Sequence, residues 1–390
     1  MNSQPQSLDA DVLGPVVRGC LHDAGAEILA WRQRPLPSWS LGEATAGIFH
    51  VEGRARTGNG IRTWSLVLKG LRDQGDGLAW RTEADFYASA RSRSLPRPLR
   101  APKVLAVVPR GAREVWIGME SVPTRPGNSW TCAALAEVAR GLGRFQGSPM
   151  GRPGPGDHAW LRGLGLLGHV EERDLHVAYI AAEEPWAHPG IREAFPSGLR
   201  QDLLRLWAQR RELCAALEDL PMAFTHGDAH PMNLLQEPSP EVGPQAVLVD
   251  WGSAGLAPLG VEAQALVAGA LATFTFDPGD ARALDRSVFE AYREGLGEAG
   301  LAPDPVRLRL AHAAAACLLW ALPLAGRALR AAVDAGFREA IVLRAGRPYE
   351  ALLAQRAASL AFLMELAQEA SGLMADGRAG RGRGRVTRPV

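Results

Sequence analysis

The chain changes its periodicity once. Up to about residue 125 the apolar residues alternate or run in short branched and aromatic stretches, and from Trp130 onward they recur every three or four positions. Strands gathered in one region and helices in another exclude a regular β/α alternation and predict an α+β architecture. In the strand-rich part, EILAWR (27–32) is a short strand. WSLGEATAGIFHVEGRA reads as two strands joined by a turn containing Gly42 and Gly47, and IRTWSLVLKG is a third. KVLAVVP and EVWIGMESV supply two more. Between them TEADFYASARS sets Glu83, Phe86, Tyr87 and Ala90 at helical spacing, with Glu83 near the helix start. TCAALAEVARGLGRF and GLRQDLLRLWAQRRELCAALEDL carry the helical pattern later on, and it returns after Asp250 almost to Met374.

A chain of 390 residues can bury a core without metals or disulfides. Its four cysteines are scattered and form no C-x-x-C pair, so a reducing compartment is expected. The segment MNSQPQSLDADV has neither the basic nor the apolar region of a signal peptide, which places the expectation in the cytoplasm. Formal net charge is +1, giving no global field toward nucleic acid or membrane, and neither is expected as a partner. The most apolar stretch, LAHAAAACLLWALPLAG, contains His312 and Pro323, is shorter than a spanning helix requires and reads as a buried core helix. The Gly/Arg-rich end, residues 376–390, is expected to be a disordered tail. No feature fixes the oligomeric state.

The chemistry concentrates between the helical blocks, in AFTHGDAHPMNLLQEPSPEVGPQAVLVDWGSAG. This stretch has no helical period and holds two short strands, NLLQ and AVLVD. His226, Gly227, Asp228, His230 and Asn233 crowd the loop before the first strand, and Asp250 ends the second. A hairpin here returns Asp250 beside Asn233, giving two oxygen ligands suited to Mg²⁺ and leaving Asp228 to take a proton. Of 43 basic residues only Lys69 and Lys103 are lysines, and Lys69 lies on a strand fourteen residues before Glu83. Taken singly, each of these residues has an ordinary explanation as a cap, a strand end or a solvated charge. Taken together they are the parts of an in-line phosphoryl transfer site. His226 and His230 have the i, i+4 spacing of a zinc pair, but Gly227 and Pro231 oppose the helix such a pair needs. A structural role in the loop is expected instead. GLGLLG (163–168) follows no strand and is not read as a dinucleotide fingerprint, and no P-loop motif is present.

With these residues in view, the sequence resembles the aminoglycoside phosphotransferase and choline kinase family, the small-molecule branch of the protein-kinase-like fold. HGDAHPMN (226–233), LVDW (248–251), the SLVLK strand with Lys69, the TEADFY helix with Glu83 and WIGMESV (116–122) carry the resemblance across roughly residues 25–265. It implies a two-lobed fold: a small antiparallel-sheet N-lobe over 1–123 that binds nucleotide, and a mainly helical C-lobe over 124–375 with catalytic loop and acceptor site. It also implies roles. Asp228 is the catalytic base, Asn233 and Asp250 hold Mg²⁺, and Lys69 contacts the nucleotide phosphates through its pairing with Glu83. Met119 lies beside the adenine, with the Glu120 carbonyl and Val122 amide hydrogen-bonding it. The implied cofactors are ATP, with GTP as the alternative donor, and Mg²⁺.

Two departures from the family pattern stand out. The turn expected to cover the nucleotide is poor in glycine, and Glu262 stands near the place where the family usually has Asp. The expected acceptor is a small-molecule hydroxyl, on an antibiotic, amino alcohol or sugar. The alternatives are a Ser or Thr of a precursor peptide, or a non-catalytic binding module. EERDLHVAYIAAEE (171–184) carries five acids and could line a pocket for a cation, although a solvated face is the plainer reading. Trp160, Tyr179, Trp186, Tyr292 and Trp320 are the aromatics available to cage a quaternary ammonium, and core packing explains them equally well.

Overall fold

The computed structural model describes residues 10–36, 45–73, 75, 79–123, 130–154, 165–238 and 244–383. They form two compact units. The first comprises the described residues up to 123 together with 235–254, the second those of 129–234 and from 255 onward. The hairpin bearing Asp250, grouped by sequence with the helical lobe, therefore belongs to the first unit. The described strands are β1 (Glu27–Pro35), β2 (Thr45–Thr57), β3 (Gly60–Arg72), β4 (Leu99–Arg100), β5 (Val104–Pro109), β6 (Glu114–Glu120), β7 (Met222–Thr225), β8 (Leu234–Glu237), β9 (Gln245–Leu248) and β10 (Gly255–Pro258).

In the first unit β1-β2-β3-β6-β5 form a five-stranded antiparallel sheet with β3 at its centre. Alternation along β3 sends Trp64, Leu66 and Leu68 into a core shared with Val12, Leu13, Val16 and Val17 of a helix at Ala10–Leu21. Each such aliphatic side chain contributes about 1.5–3 kcal/mol of gross burial energy. The opposite face of β3 carries Val67 and Lys69, whose ladder partners Met119 and Ile117 share that face.

The helix Ala10–Leu21 was not expected from sequence. Gly14, Pro15 and Gly19 lie inside it and read as breakers. Gly19 is there for proximity, since a Cβ would stand 2.5 Å from the Leu105 carbonyl oxygen. A second correction concerns WSLGEATAGIFHVEGRA. Residues 45–57 form the single strand β2, and Gly47 sits at a register shift near its start, at φ +140°, where an irregular ladder needs a residue without a side chain. Gly42 lies outside the described residues.

In the same unit, β4, β9 and β8 form a small sheet, with β4 parallel to β9. Arg100 ties it to the end of β6 in the larger one, bonding both carboxylate oxygens of Glu237 (2.7 and 2.8 Å) and one of Glu120 (2.5 Å).

The second unit is helical around the antiparallel pair β7–β10. Helices Cys132–Gly147 and Ala281–Glu298 pack together, and Tyr292 between them donates to Gln146 while accepting from the Gly260 amide. A continuous helical run, Pro305–Val333, is long and apolar enough to cross a membrane, with a mean hydropathy of 1.5. In this fold 83% of that window is buried in the protein, as expected of a core helix. The last helix, Tyr349–Arg383, extends into the stretch expected to be a disordered tail. Arginine is a good helix former, and extending an existing helix is far easier than nucleating one. Residues 384–390 lie outside the described residues.

Candidate active site

The first unit assembles a cation between two carboxylates. Lys69 Nζ lies 2.5 Å from Glu83 Oε2 and 2.6 Å from Asp250 Oδ1. Lys69 and Glu83 are 6% and 1% exposed, whereas Asp250 keeps 39% of its side chain open to solvent. Burial alone would lower the Lys69 pKa, but the charges of Glu83 and then Asp250 outweigh it and hold the ammonium protonated. Glu83 reaches the lysine because the helix Thr82–Ala88 is anchored one turn on, where Phe86 stacks on Trp251 at 3.7 Å between ring centroids. Trp251 in turn donates its indole N–H to the Leu248 carbonyl at the end of β9 (2.8 Å). One aromatic stack therefore sets both carboxylates against Lys69. Asp250 itself has φ 64°, a left-handed backbone that aspartate tolerates better than most residues and that marks a functional turn.

Met119 and Glu120 end β6 and Val122 follows it. Met119 is buried opposite Val67, on the Lys69 face of the sheet. The Glu120 carboxylate is held by Arg100 and by the Lys103 amide (2.8 Å), which fixes the exit of the strand.

The second unit carries the loop after β7. The His226 amide donates to Glu262 Oε2 (2.7 Å), and the Gly227 amide reaches the same carboxyl. The Asp228 amide donates to His226 Nδ1 (3.2 Å), and the Met232 amide to His230 Nδ1 (3.2 Å). Asn233 Nδ2 donates to the Asp228 carbonyl (2.9 Å) and to its Oδ2 (3.1 Å), while His230 Nε2 lies 3.5 Å from that same oxygen. Asp228 keeps 39% of its side chain exposed on this fixed backbone, the condition for a positioned base.

Both histidines thus spend Nδ1 on the loop's own amides. Among the described residues no group of three or more His, Cys, Asp or Glu could hold a metal ion. What remains is an oxygen donor on Asn233 and the open carboxylate of Asp250, each in its own unit. Each is a hard oxygen donor of the type that Mg²⁺ binds.

Glu262 braces the loop in place of the expected Asp. It is 3% exposed, and burial raises its pKa to about 7 against the lowering effect of the His226 and Gly227 amides, with the charge of Asp228 adding to the rise. Sequence reasoning missed the Phe86–Trp251 stack, although LVDW and TEADF held both rings next to site residues. It had no means of knowing that they meet.

The family model for the phosphotransferase enzyme family (APH) matches residues 55–311, and the chain belongs to that family. Among solved structures it is similar to an aminoglycoside phosphotransferase from Alicyclobacillus acidocaldarius. The identity is 17%, the TM-score 0.50, and the match covers 94% of this chain and 98% of that one. A choline kinase from Cryptosporidium parvum matches at 11% identity and TM-score 0.48, over 89% and 91% of the two chains. An amicoumacin kinase in complex with AMP-PNP and Ca²⁺ matches at 12% and 0.47, over 82% and 88%. No curated protein sequence matches. The fold is the two-part α+β fold of these kinases, with an antiparallel sheet in the N-terminal region and a mostly helical remainder.

Proposed function

We propose that the protein transfers the γ-phosphoryl group of ATP, as its Mg²⁺ complex, to a hydroxyl of a small molecule. The observation that carries this reading is the Lys69–Glu83–Asp250 cluster. It is a buried, permanently protonated lysine beside a half-open carboxylate, set in a phosphotransferase family fold. Lys69 holds the nucleotide phosphates, and Glu83 keeps the ammonium in place. Asp250 and Asn233 hold Mg²⁺, which supplies charge neutralisation at the phosphates when bound. Met119, the Glu120 carbonyl and the Val122 amide receive the adenine.

In the second unit Asp228 orients the acceptor hydroxyl and accepts its proton, with Asn233 and His230 restraining the carboxylate that does so. Placement before reaction is most of the catalysis here, since phosphoryl transfer asks little covalent chemistry of the protein. The similar structures named above, a choline kinase and an amicoumacin kinase among them, support a small-molecule acceptor, and nothing favours a precursor peptide.

The test is Asp228→Asn, an isosteric change that removes the base. It should retain binding of Mg²⁺-ATP and lower phosphoryl transfer by about 10²–10⁴-fold. Near wild-type turnover in that variant would remove Asp228 from the mechanism.

A further inference from the structure

The second unit gathers positive charge on two helices that meet, one of them continuing from Trp320, whose ring packs against His230 of the Asp228 loop. Arg173 immediately precedes the helix Asp174–Ala181, and Arg327 and Arg330 lie on the helix Leu322–Val333. The two helices meet at Gly326, where a Cβ would stand 2.6 Å from His176 Cβ and 2.8 Å from its carbonyl oxygen. That contact brings Arg327, the next residue, and Arg173, one turn before His176, to the same seam. Burial, and then Arg327, Arg173 and Arg330 in turn, lower the His176 pKa to about 4, so the imidazole adds no charge of its own. Arg356 approaches from the helix Tyr349–Arg383, donating to the Ala272 carbonyl (2.7 Å) with its guanidinium 4.1 Å from the Phe274 ring centre. Burial and the charge of Arg327 push its pKa down to about 9.

Several arginines of this unit are answered by carboxylates: Arg309 by Asp285 and Glu369, Arg282 by Glu365, Arg330 by Asp334. Arg173 and Arg327 are not. Among the described residues neither guanidinium is in a salt bridge or side-chain hydrogen bond, and the Arg173 Nε is buried without a partner. The negative charges that act on them are Glu172 on Arg173, and Asp228 on both. Arg327 is exposed to water. Clustered like charges oppose folding, and a guanidinium fork without a carboxylate partner can take an oxyanion in paired hydrogen bonds.

Several of the features that would suit a cation are committed elsewhere. Glu171 is taken by Arg211 (2.9 Å) and Arg210, and Glu172, Asp174, Glu183 and Glu184 are exposed. Trp186 donates to the Ile180 carbonyl, and Tyr292 is wholly buried in the Gln146–Gly260 network. Trp320 packs edge-on against His230, and Trp160 lies outside the described residues.

We propose that the acceptor is an anion, a hydroxylated carboxylate or phosphate whose charged group is held by Arg173 and Arg327 while its hydroxyl meets Asp228. The proposal rests on the phosphotransferase reading and names its substrate class. In the step itself the acceptor O–H bond breaks and its proton passes to the Asp228 carboxylate. The acceptor oxygen forms a bond to the γ-phosphorus, and the bond from that phosphorus to the β–γ bridging oxygen breaks, releasing ADP. The arginines offset the repulsion between an anionic acceptor and both Asp228 and the nucleotide phosphates. They would repel choline or an aminoglycoside.

The test is calorimetric titration of the full chain, loaded with Mg²⁺ and AMP-PNP. The anionic probes are glycerate, gluconate and glucose 6-phosphate, and the cationic ones choline and streptomycin. Saturable binding of an anionic probe supports the proposal, and the arms separate carboxylate from phosphate recognition. Arg327→Ala and Arg173→Ala should each weaken that probe by about 10-fold or more, with Arg→Lys recovering part. Unchanged Mg²⁺–AMP-PNP affinity reports that the variants are folded. The proposal is overturned if only the cationic probes bind, if none of the anions binds while the nucleotide does, or if the alanine variants bind the anion as tightly as wild type. Failure to bind the nucleotide at all would instead sink the phosphotransferase reading, and this inference with it.

Discussion

Lys69→Met removes the cation from a pocket in which Glu83 is 1% exposed and 2.5 Å away. Two routes bound the cost. If Glu83 stays ionised, a buried pair has been broken from one side, at about 3–5 kcal/mol. If Glu83 takes a proton instead, the work at pH 7 is that of protonating a carboxyl whose ordinary pKa is 4.5, about 3.4 kcal/mol. The folded variant takes the cheaper route, so the loss should be about 3 kcal/mol. Asp250 adds little, because water can replace the ammonium at a side chain 39% exposed. The route also fixes the pH dependence. A folded state that must bind a proton loses stability as pH rises, so the deficit should shrink to about 1 kcal/mol or less at pH 5. Urea unfolding of wild type, Lys69→Met and Lys69→Met/Glu83→Gln at both pH values tests this. The double variant, with no charge left to strand, should recover most of the loss and show no such pH dependence. A loss below about 1 kcal/mol at pH 7, or no rescue by the second substitution, would refute the argument.

Glu262→Gln should gain on wild type as pH rises. The folded pKa of Glu262, about 7, lies above its ordinary 4.5, so the group's contribution is present below pH 4.5 and lost as pH passes 7. The difference between variant and wild type should move by up to about 3 kcal/mol between pH 4.5 and 8 in parallel unfolding curves. Phe86→Ala should destabilise by about 3–5 kcal/mol through the lost stack on Trp251 and, by loosening Glu83, weaken nucleotide binding measured calorimetrically. Asn233→Ala should raise the Mg²⁺ concentration for half-maximal turnover by about 10-fold or more, and an unchanged Mg²⁺ dependence would take Asn233 out of the metal site.

Much of this was legible in the sequence because it depends on local pattern. Alternation along WSLVLKG placed Lys69 on a strand, and helical spacing placed Glu83 near the start of TEADFYA. The density of Asp, His and Asn in HGDAHPMN marked the loop. What sequence could not show came from contacts between distant segments. The helix at Ala10–Leu21 was hidden because its glycines and proline read as breakers until the Leu105 carbonyl is seen against Gly19. The hairpin with Asp250 follows the helical block in sequence but packs with the sheet through Leu99–Ala246 pairing and the Phe86–Trp251 stack. The acidic run 171–184 read more plainly as a solvated face than as a pocket wall, and Glu172, Asp174, Glu183 and Glu184 are exposed. The arginine that interrupts it, Arg173, is the member the fold turns toward charge from another helix.

The most direct test of phosphoryl transfer to a small-molecule hydroxyl is to follow the phosphate. Wild-type protein and Asp228→Asn would be incubated with Mg²⁺ and γ-labelled ATP in the presence of pooled hydroxylated small molecules, and every labelled product resolved by mass spectrometry. A phosphate monoester that needs Mg²⁺ and is formed by wild type alone is the predicted result. The same monoester formed equally by Asp228→Asn, or label found only in inorganic phosphate or on the protein, would contradict the account.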